Sequence, residues 1–144
     1  MKVVLQVVKQ ASVSVNNTLI SKINIWYLLL VGIEKKDTSE IIKKMAKKII
    51  DIRINKDEND KTNLSIKDVG GEILSVSQFT LCADLDSRRP SFSNAANPDV
   101  AKKLYDEFNE ELSSNNIVVK TGVFKEHMEV SLINDGPFTI NISL

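Results

Sequence analysis

The chain opens on Val3-Val4-Leu5-Gln6-Val7-Val8-Lys9-Gln10-Ala11-Ser12-Val13-Ser14-Val15, in which side chains alternate at period two. Val3, Leu5 and Val7 alternate with Val4, Gln6 and Val8; Ala11, Val13 and Val15 alternate with Ser12 and Ser14. Successive strand residues point to opposite faces, so this pattern predicts β-structure, read here as two strands. Asn16-Asn17 follows as a turn, because asparagine tolerates left-handed backbone geometry. Ile23 to Ile33 is a run of apolar, β-branched and aromatic residues and reads as a buried strand.

Outward from this opening the periodicity changes. Asp37-Thr38-Ser39-Glu40 has helix-starting chemistry, with Asp37 and Glu40 spaced as in a capping box. Ile41, Ile42, Met45, Ala46, Ile49 and Ile50 then recur at helical spacing, with Lys43, Lys44, Lys47 and Lys48 on the other face. Those lysines have the pattern of a solvated helix face, and would also suit contact with phosphates. Asn55 to Lys61 reads as a surface loop, Gly70-Gly71 as a turn and Ile73 to Leu81 as a strand.

Asp84 to Asn97 is polar and irregular. Asn97-Pro98-Asp99 starts a second helix, with Asn at the cap, Pro at the first helical position and Asp in the first turn. Val100, Leu104, Phe108 and Leu112 are its expected core face, and Asn115-Asn116 its end. Ile117 to Lys120, Glu129 to Ile133 and Phe138 to Leu144 read as strands, the last two joined by a turn at Asn134-Asp135-Gly136-Pro137. About six to eight strands and two main helices predict an α/β fold of one domain: a mixed sheet with helices packed against it.

Composition narrows the function. A chain of 144 residues with 42% apolar and 26% charged residues can build a core without disulfides or metal. One cysteine and one histidine rule out a zinc finger or a histidine-rich site, so no metal and no cofactor is expected. The longest apolar run, Ile25 to Ile33, is far short of the roughly 20 residues of a membrane-spanning helix. The start lacks signal-peptide character, and a soluble, cytoplasmic protein is expected. The 19 basic and 19 acidic residues balance, which argues against nucleic-acid binding driven by counterion release alone.

Familiar catalytic groupings are sparse. His127, in the polar stretch Lys125-Glu126-His127, reads as a surface histidine, and Cys82 as a packed, unreactive thiol. Two segments stand out. Ser77-Gln78-Phe79-Thr80-Leu81 gathers three hydrogen-bonding side chains where an apolar strand reaches the surface, a common place for ligand sites. Asn134-Asp135-Gly136-Pro137-Phe138-Thr139 holds a Gly-Pro pair. On residues alone, an edge strand and a plain hairpin turn are the favoured readings.

These two segments resemble the SQFTL and NxGPxT motifs of the D-aminoacyl-tRNA deacylase (D-tyrosyl-tRNA(Tyr) deacylase) family. Arg89-Pro90-Ser91-Phe92, Thr121-Gly122-Val123-Phe124 with Met128, and Gln6-Val7-Val8-Lys9-Gln10-Ala11-Ser12-Val13 resemble three further family segments. All five occur in register across essentially the whole chain. One departure concerns Ser21 to Tyr27, where the family carries a glycine-rich stretch and this chain has no glycine.

The resemblance implies the family's fold and hydrolysis of the ester joining a D-amino acid, or glycine, to the terminal ribose of tRNA. An aminoacyl ester is already activated, so positioning and oxyanion stabilisation matter more than a strong nucleophile. It implies a site at Ser77, Gln78, Phe79 and Thr80, with water attacking and the Phe79 and Thr80 amides holding the carbonyl. It implies that Gly136-Pro137, with Asn134 nearby, rejects L-substrates through a cis peptide pair entering the pocket of a second subunit. Ala96, Phe124 and Met128 would line that pocket. The implied partners are tRNA and a second copy of the chain. A dimeric nucleic-acid-binding module without hydrolysis and a different small esterase remain the alternatives.

Overall fold

The computed structural model describes residues 1–144. Its order is β1 (Lys2–Val15), β2 (Thr18–Ile23), β3 (Trp26–Gly32), α1 (Ser39–Asp51), β4 (Asn55–Lys56), β5 (Thr62–Leu64), β6 (Glu72–Ser77), a 3-10 turn (Phe79–Cys82), α2 (Pro98–Ser113), β7 (Val118–Thr121) and β8 (Glu129–Ser143). The eight strands and two helices agree with the expected mixed fold.

The opening is one strand, not two. β1 runs on through Lys9-Gln10, carried across by β8, which pairs with Val8 and Gln10 on either side of Lys9. β8 pairs with it antiparallel from Lys2 to Ser14, while β3 and β2 share the opposite edge, at Lys2–Val8 and Ala11–Val15. The run read as one strand from Ile23 to Ile33 is interrupted at Asn24-Ile25, where Ile25 stays exposed. Trp26 restarts it at φ +127°, a conformation that strains any side chain. No glycine occurs between Ser21 and Tyr27, so this positive φ falls on a tryptophan.

β3, β6 and β7 are parallel neighbours, so both links between them must cross over the sheet. α1 and α2 make those crossovers and pack on one face. Ile42, Met45, Ile49, Leu104, Phe108 and Leu112 meet Val3, Leu5, Tyr27, Leu29, Val31 and Ile73 there. The alternate residues Leu28, Leu74 and Val76 face the other side and pack with Val8, Ala11, Val13 and Ile23. The second half of β1 curls over that side, and burial on both faces explains the unbroken apolar run in β3.

Local chemistry was read well at α2 and less well at α1. Asn97 Oδ1 accepts from Asp99 N at 3.2 Å and Pro98 opens α2, as expected. Val100, expected in the core, lies in the first turn of α2 and is 51% exposed. The α1 cap is Thr38, whose hydroxyl accepts from Ile41 N at 3.4 Å. Asp37 instead turns inward: its carboxylate accepts from the Met1 ammonium at 2.5 Å and from Glu34 N at 2.7 Å. Asn55, read as loop, is buried in β4 and donates to Tyr27 Oη at 2.8 Å. The four α1 lysines lie on the solvent side, and Lys47 pairs with Asp51 at 2.5 Å.

The C-terminal hairpin is replaced by one long strand, β8. Its register against β1 jumps from Val8↔Asn134 to Gln6↔Thr139. Asp135 to Phe138 therefore stand opposite Val7 alone and bulge out of the sheet. The Gly136-Pro137 peptide is cis, and residues 134–139 are all exposed.

Candidate active site

The strand expected to reach Leu81 ends at Ser77. Beyond it the chain tightens into the 3-10 turn, tethered to β3 by Gln78 N donating to Val31 O at 2.7 Å and by the Cys82 thiol on Ile33 O at 3.5 Å. Gly32 permits this approach: a Cβ there would sit 3.0 Å from Leu81 Cβ, 3.1 Å from Cys82 Sγ and 3.2 Å from Gln78 O. The turn's i→i+3 bonds begin with Leu81 N donating to Gln78 O at 3.2 Å. The preceding amides, of Phe79 and Thr80, stand at the open N-terminal end of the turn, where amides lack an internal partner.

A concave pocket of about 520 Å³ opens above this turn. Ser77, Gln78 and Phe79 form one side, and Ala96, Phe124 and Met128 line the others. Each wall has its own tether. Ala96 N donates to Ile33 O at 3.0 Å, which lays the segment before α2 along the end of β3. Phe124 lies against Tyr105, with ring centroids 6.0 Å apart, and Tyr105 Oη donates to Ser75 O at 2.8 Å. Met128 packs into the second core beneath β1. Residues far apart in the chain thus converge on the C-terminal end of β6.

Thr80 lies at the turn but does not line the pocket. Its hydroxyl accepts a hydrogen bond from Gln78 Nε2. No carboxylate or imidazole hydrogen-bonds it, so nothing there removes its proton. Cys82 is buried, and burial pushes its thiol above the ordinary value, with Glu34 adding to the effect. Its burial agrees with the reading of a packed thiol.

Asn134, Gly136 and Pro137 do not join this pocket. Gly136 borders a separate cavity with Val7, Trp26, Asn55 and Phe138. Asn134 Oδ1 accepts from Gln6 Nε2 at 3.3 Å across the base of the bulge. The two unusual segments of the sequence therefore occupy different places within one chain.

Sequence reasoning missed Lys125, Glu126 and His127, which line the rim of the pocket while staying exposed. Lys125 holds φ +68°, which turns this rim segment back toward β8. Their position between Phe124 and Met128 was the available signal. Ala101, from the first turns of α2, is a further unexpected wall residue.

Proteins of known family share both the sequence and the fold. A D-aminoacyl-tRNA deacylase of Thermosipho africanus is 51% identical over 141 residues, covering 97% of this chain and 95% of the relative. One from Lactobacillus gasseri is 50% identical over 145 residues and covers both chains fully. The solved structure of a c-Myc DNA Unwinding Element Binding Protein superposes with a TM-score of 0.95 at 37% identity, covering 100% of this chain and 99% of that one. A probable eukaryotic D-amino acid tRNA deacylase shares the fold, with a TM-score of 0.85 at 18% identity and 98% and 97% coverage. The family model described as D-Tyr-tRNA(Tyr) deacylase matches residues 4–143, and on this match the chain belongs to the D-Tyr-tRNA(Tyr) deacylase family.

Proposed function

We propose that this protein hydrolyses D-aminoacyl-tRNA and glycyl-tRNA mischarged on tRNA(Ala), releasing free tRNA and the amino acid, and spares L-aminoacyl-tRNA. The observation that carries this reading is the pocket at the end of β6, with Ser77, Gln78 and Phe79 on one side and two amides open at the 3-10 turn. Water attacks the ester carbonyl, the carbonyl carbon to ribose oxygen bond breaks, and the ribose hydroxyl leaves with a proton. The Phe79 and Thr80 amides hold the developing oxyanion, the kind of fixed dipole worth most where water is excluded. The substrate's own 2′-hydroxyl helps to activate the water. Thr80, tied to Gln78 and lacking a base, is not the nucleophile. Ser77 and Gln78 shape the pocket and bind the terminal adenosine, while Ala96, Phe124 and Met128 form its walls.

Discrimination falls to Gly136-Pro137, with Asn134 holding the base of the segment. The bulge of one copy enters the pocket of another, and its main-chain carbonyls grip the amino group. An L side chain then collides with the pair, whereas a D side chain or hydrogen does not. The separation of the two motifs within one chain supports action across a homodimer, as do the exposed bulge and exposed Ile133 and Phe138 beside it. No helix is long and apolar enough to cross a membrane, and the site of action is the cytoplasm, where charged tRNA is available.

The second reading is a dimeric nucleic-acid-binding module without hydrolysis, which the likeness to the c-Myc DNA Unwinding Element Binding Protein favours. Side-by-side incubation of the purified protein with D-tyrosyl-, L-tyrosyl- and glycyl-tRNA separates the two. Cleavage of the D- and glycyl-esters with L spared is the expected result. Cleavage of none by a folded dimer that binds tRNA would establish the module, and cleavage of all three would remove the discriminating role of Gly136-Pro137.

A further inference from the structure

We infer that Phe92, with Arg88 and Arg89, forms a stacking and phosphate-contacting surface for the single-stranded nucleotides immediately 5′ of the esterified one. This rests on the tRNA-ester reading of the pocket. The segment after the 3-10 turn closes on itself: Asp84 N donates to Ser91 O at 2.7 Å and Ser91 N to Asp84 O at 2.9 Å. The closure returns Phe92 to the turn it left. There its ring meets Phe79 edge-on, with centroids 5.1 Å apart and planes at 69°.

Edge-to-face pairs are ordinary in a core, but this one lies at the surface. Phe79 is 56% and Phe92 37% exposed, and Phe79 also lines the pocket. The pair therefore extends the wall of the site outward as apolar, aromatic surface. Arg88 and Arg89 are exposed on the same hairpin and neither makes an ion pair. Asp84 Oδ1 is engaged within the hairpin, accepting from Asp86 N at 2.9 Å. The hairpin's two aspartates offset its two arginines, so its field alone attracts little. Directed stacking and guanidinium–phosphate bonds must supply the affinity.

The 3′ end of a tRNA has the matching chemistry. Its bases are unpaired, every base offers a π-face, and unstacked bases settle on aromatic rings and guanidinium planes. With the esterified nucleotide at Phe79, the strand leaving the pocket on that side meets Phe92 next.

The test compares D-tyrosyl-tRNA with D-tyrosyl-adenosine, which carries the ester but no further nucleotides. Phe92→Ala is expected to lower kcat/KM on the tRNA about tenfold, within the range of one base–aromatic stack. The same variant should leave the adenosine ester unaffected, and Phe92→Tyr should restore the loss. Replacing Arg88 and Arg89 with Gln should flatten the salt dependence of tRNA cleavage by about 0.7 in log–log slope for each guanidinium–phosphate bond removed. Equal loss on both substrates would make Phe92 a structural prop of the pocket and overturn the inference, as would no loss on either. Should the wild-type protein cleave neither ester, the hydrolytic reading fails by itself. Binding of uncharged tRNA, with and without its single-stranded 3′ nucleotides, then decides: Phe92→Ala must weaken only the intact form.

Discussion

Gly32→Ala tests whether the 3-10 turn holds the reacting carbonyl. The added methyl would lie 3.0, 3.1 and 3.2 Å from Leu81 Cβ, Cys82 Sγ and Gln78 O, all in the segment running into and along the turn. Carbon atoms at rest sit about 3.5–4.0 Å apart, so the segment must retreat by roughly half an ångström. β3 cannot give way instead, because it is paired on both edges, with β1 and β6. Overpacking of this kind costs about 1–3 kcal/mol of stability. A misplacement of about 1 Å in an active site costs on the order of a hundredfold in rate, so half that shift predicts a fall in kcat of about tenfold. The assay is single-turnover hydrolysis of D-tyrosyl-tRNA beside denaturant unfolding. Ile49→Val, in α1 and away from the pocket, is the control: it costs about 0.5–1.5 kcal/mol and should leave the rate alone. If Gly32→Ala loses stability but keeps full kcat, the turn does not carry the oxyanion amides and the reasoning fails.

Three other outcomes are expected. Gly136→Ala should narrow the preference for D- over L-tyrosyl-tRNA by about tenfold or more, because at φ +133° its Cβ would lie 2.8 Å from Phe138 N and displace the bulge; an unchanged D-to-L ratio removes this segment from discrimination. Thr80→Ala should keep kcat within about tenfold of wild type, since only the Gln78 bond is lost; complete loss in a folded protein would make Thr80 the nucleophile. The two tyrosines should resist ionisation: burial raises Tyr27 to about 12 against the opposing bond from Asn55, and burial raises Tyr105 as well. Their neutral forms are favoured by the fold, so this stability is complete below the unfolded value of about 10 and lost as pH rises toward the folded values. At about pH 10.5 tyrosinate absorbance should be smaller in folded protein than in an unfolded sample, where it is more than half complete; equal signals would mean that neither phenol is buried as described.

Short-range chemistry made much of this molecule readable from its residues. The alternation at Val3–Val15, the helical spacing from Ile41 to Ile50 and the Asn97-Pro98-Asp99 start depend on neighbours a few positions away, so element types could be assigned. The motifs at Ser77–Leu81 and Asn134–Thr139 likewise carried the family resemblance without any fold. Long-range pairing decided the rest. Whether Lys9-Gln10 breaks a strand depends on β8, more than a hundred residues away, and whether Gly136-Pro137 turns the chain back or bulges from it depends on the register with β1. Thr38 became the α1 cap because Asp37 was drawn to the Met1 ammonium, a partner invisible to a capping pattern. Ser77 became the end of β6 because Gln78 is held by Val31 and Gly32 leaves room for the turn. The pocket belongs to the tertiary structure for the same reason: Ser77, Ala96, Phe124 and Met128 meet only after two crossovers bring β3, β6 and β7 side by side, and distance in space is a quantity that residue order does not carry.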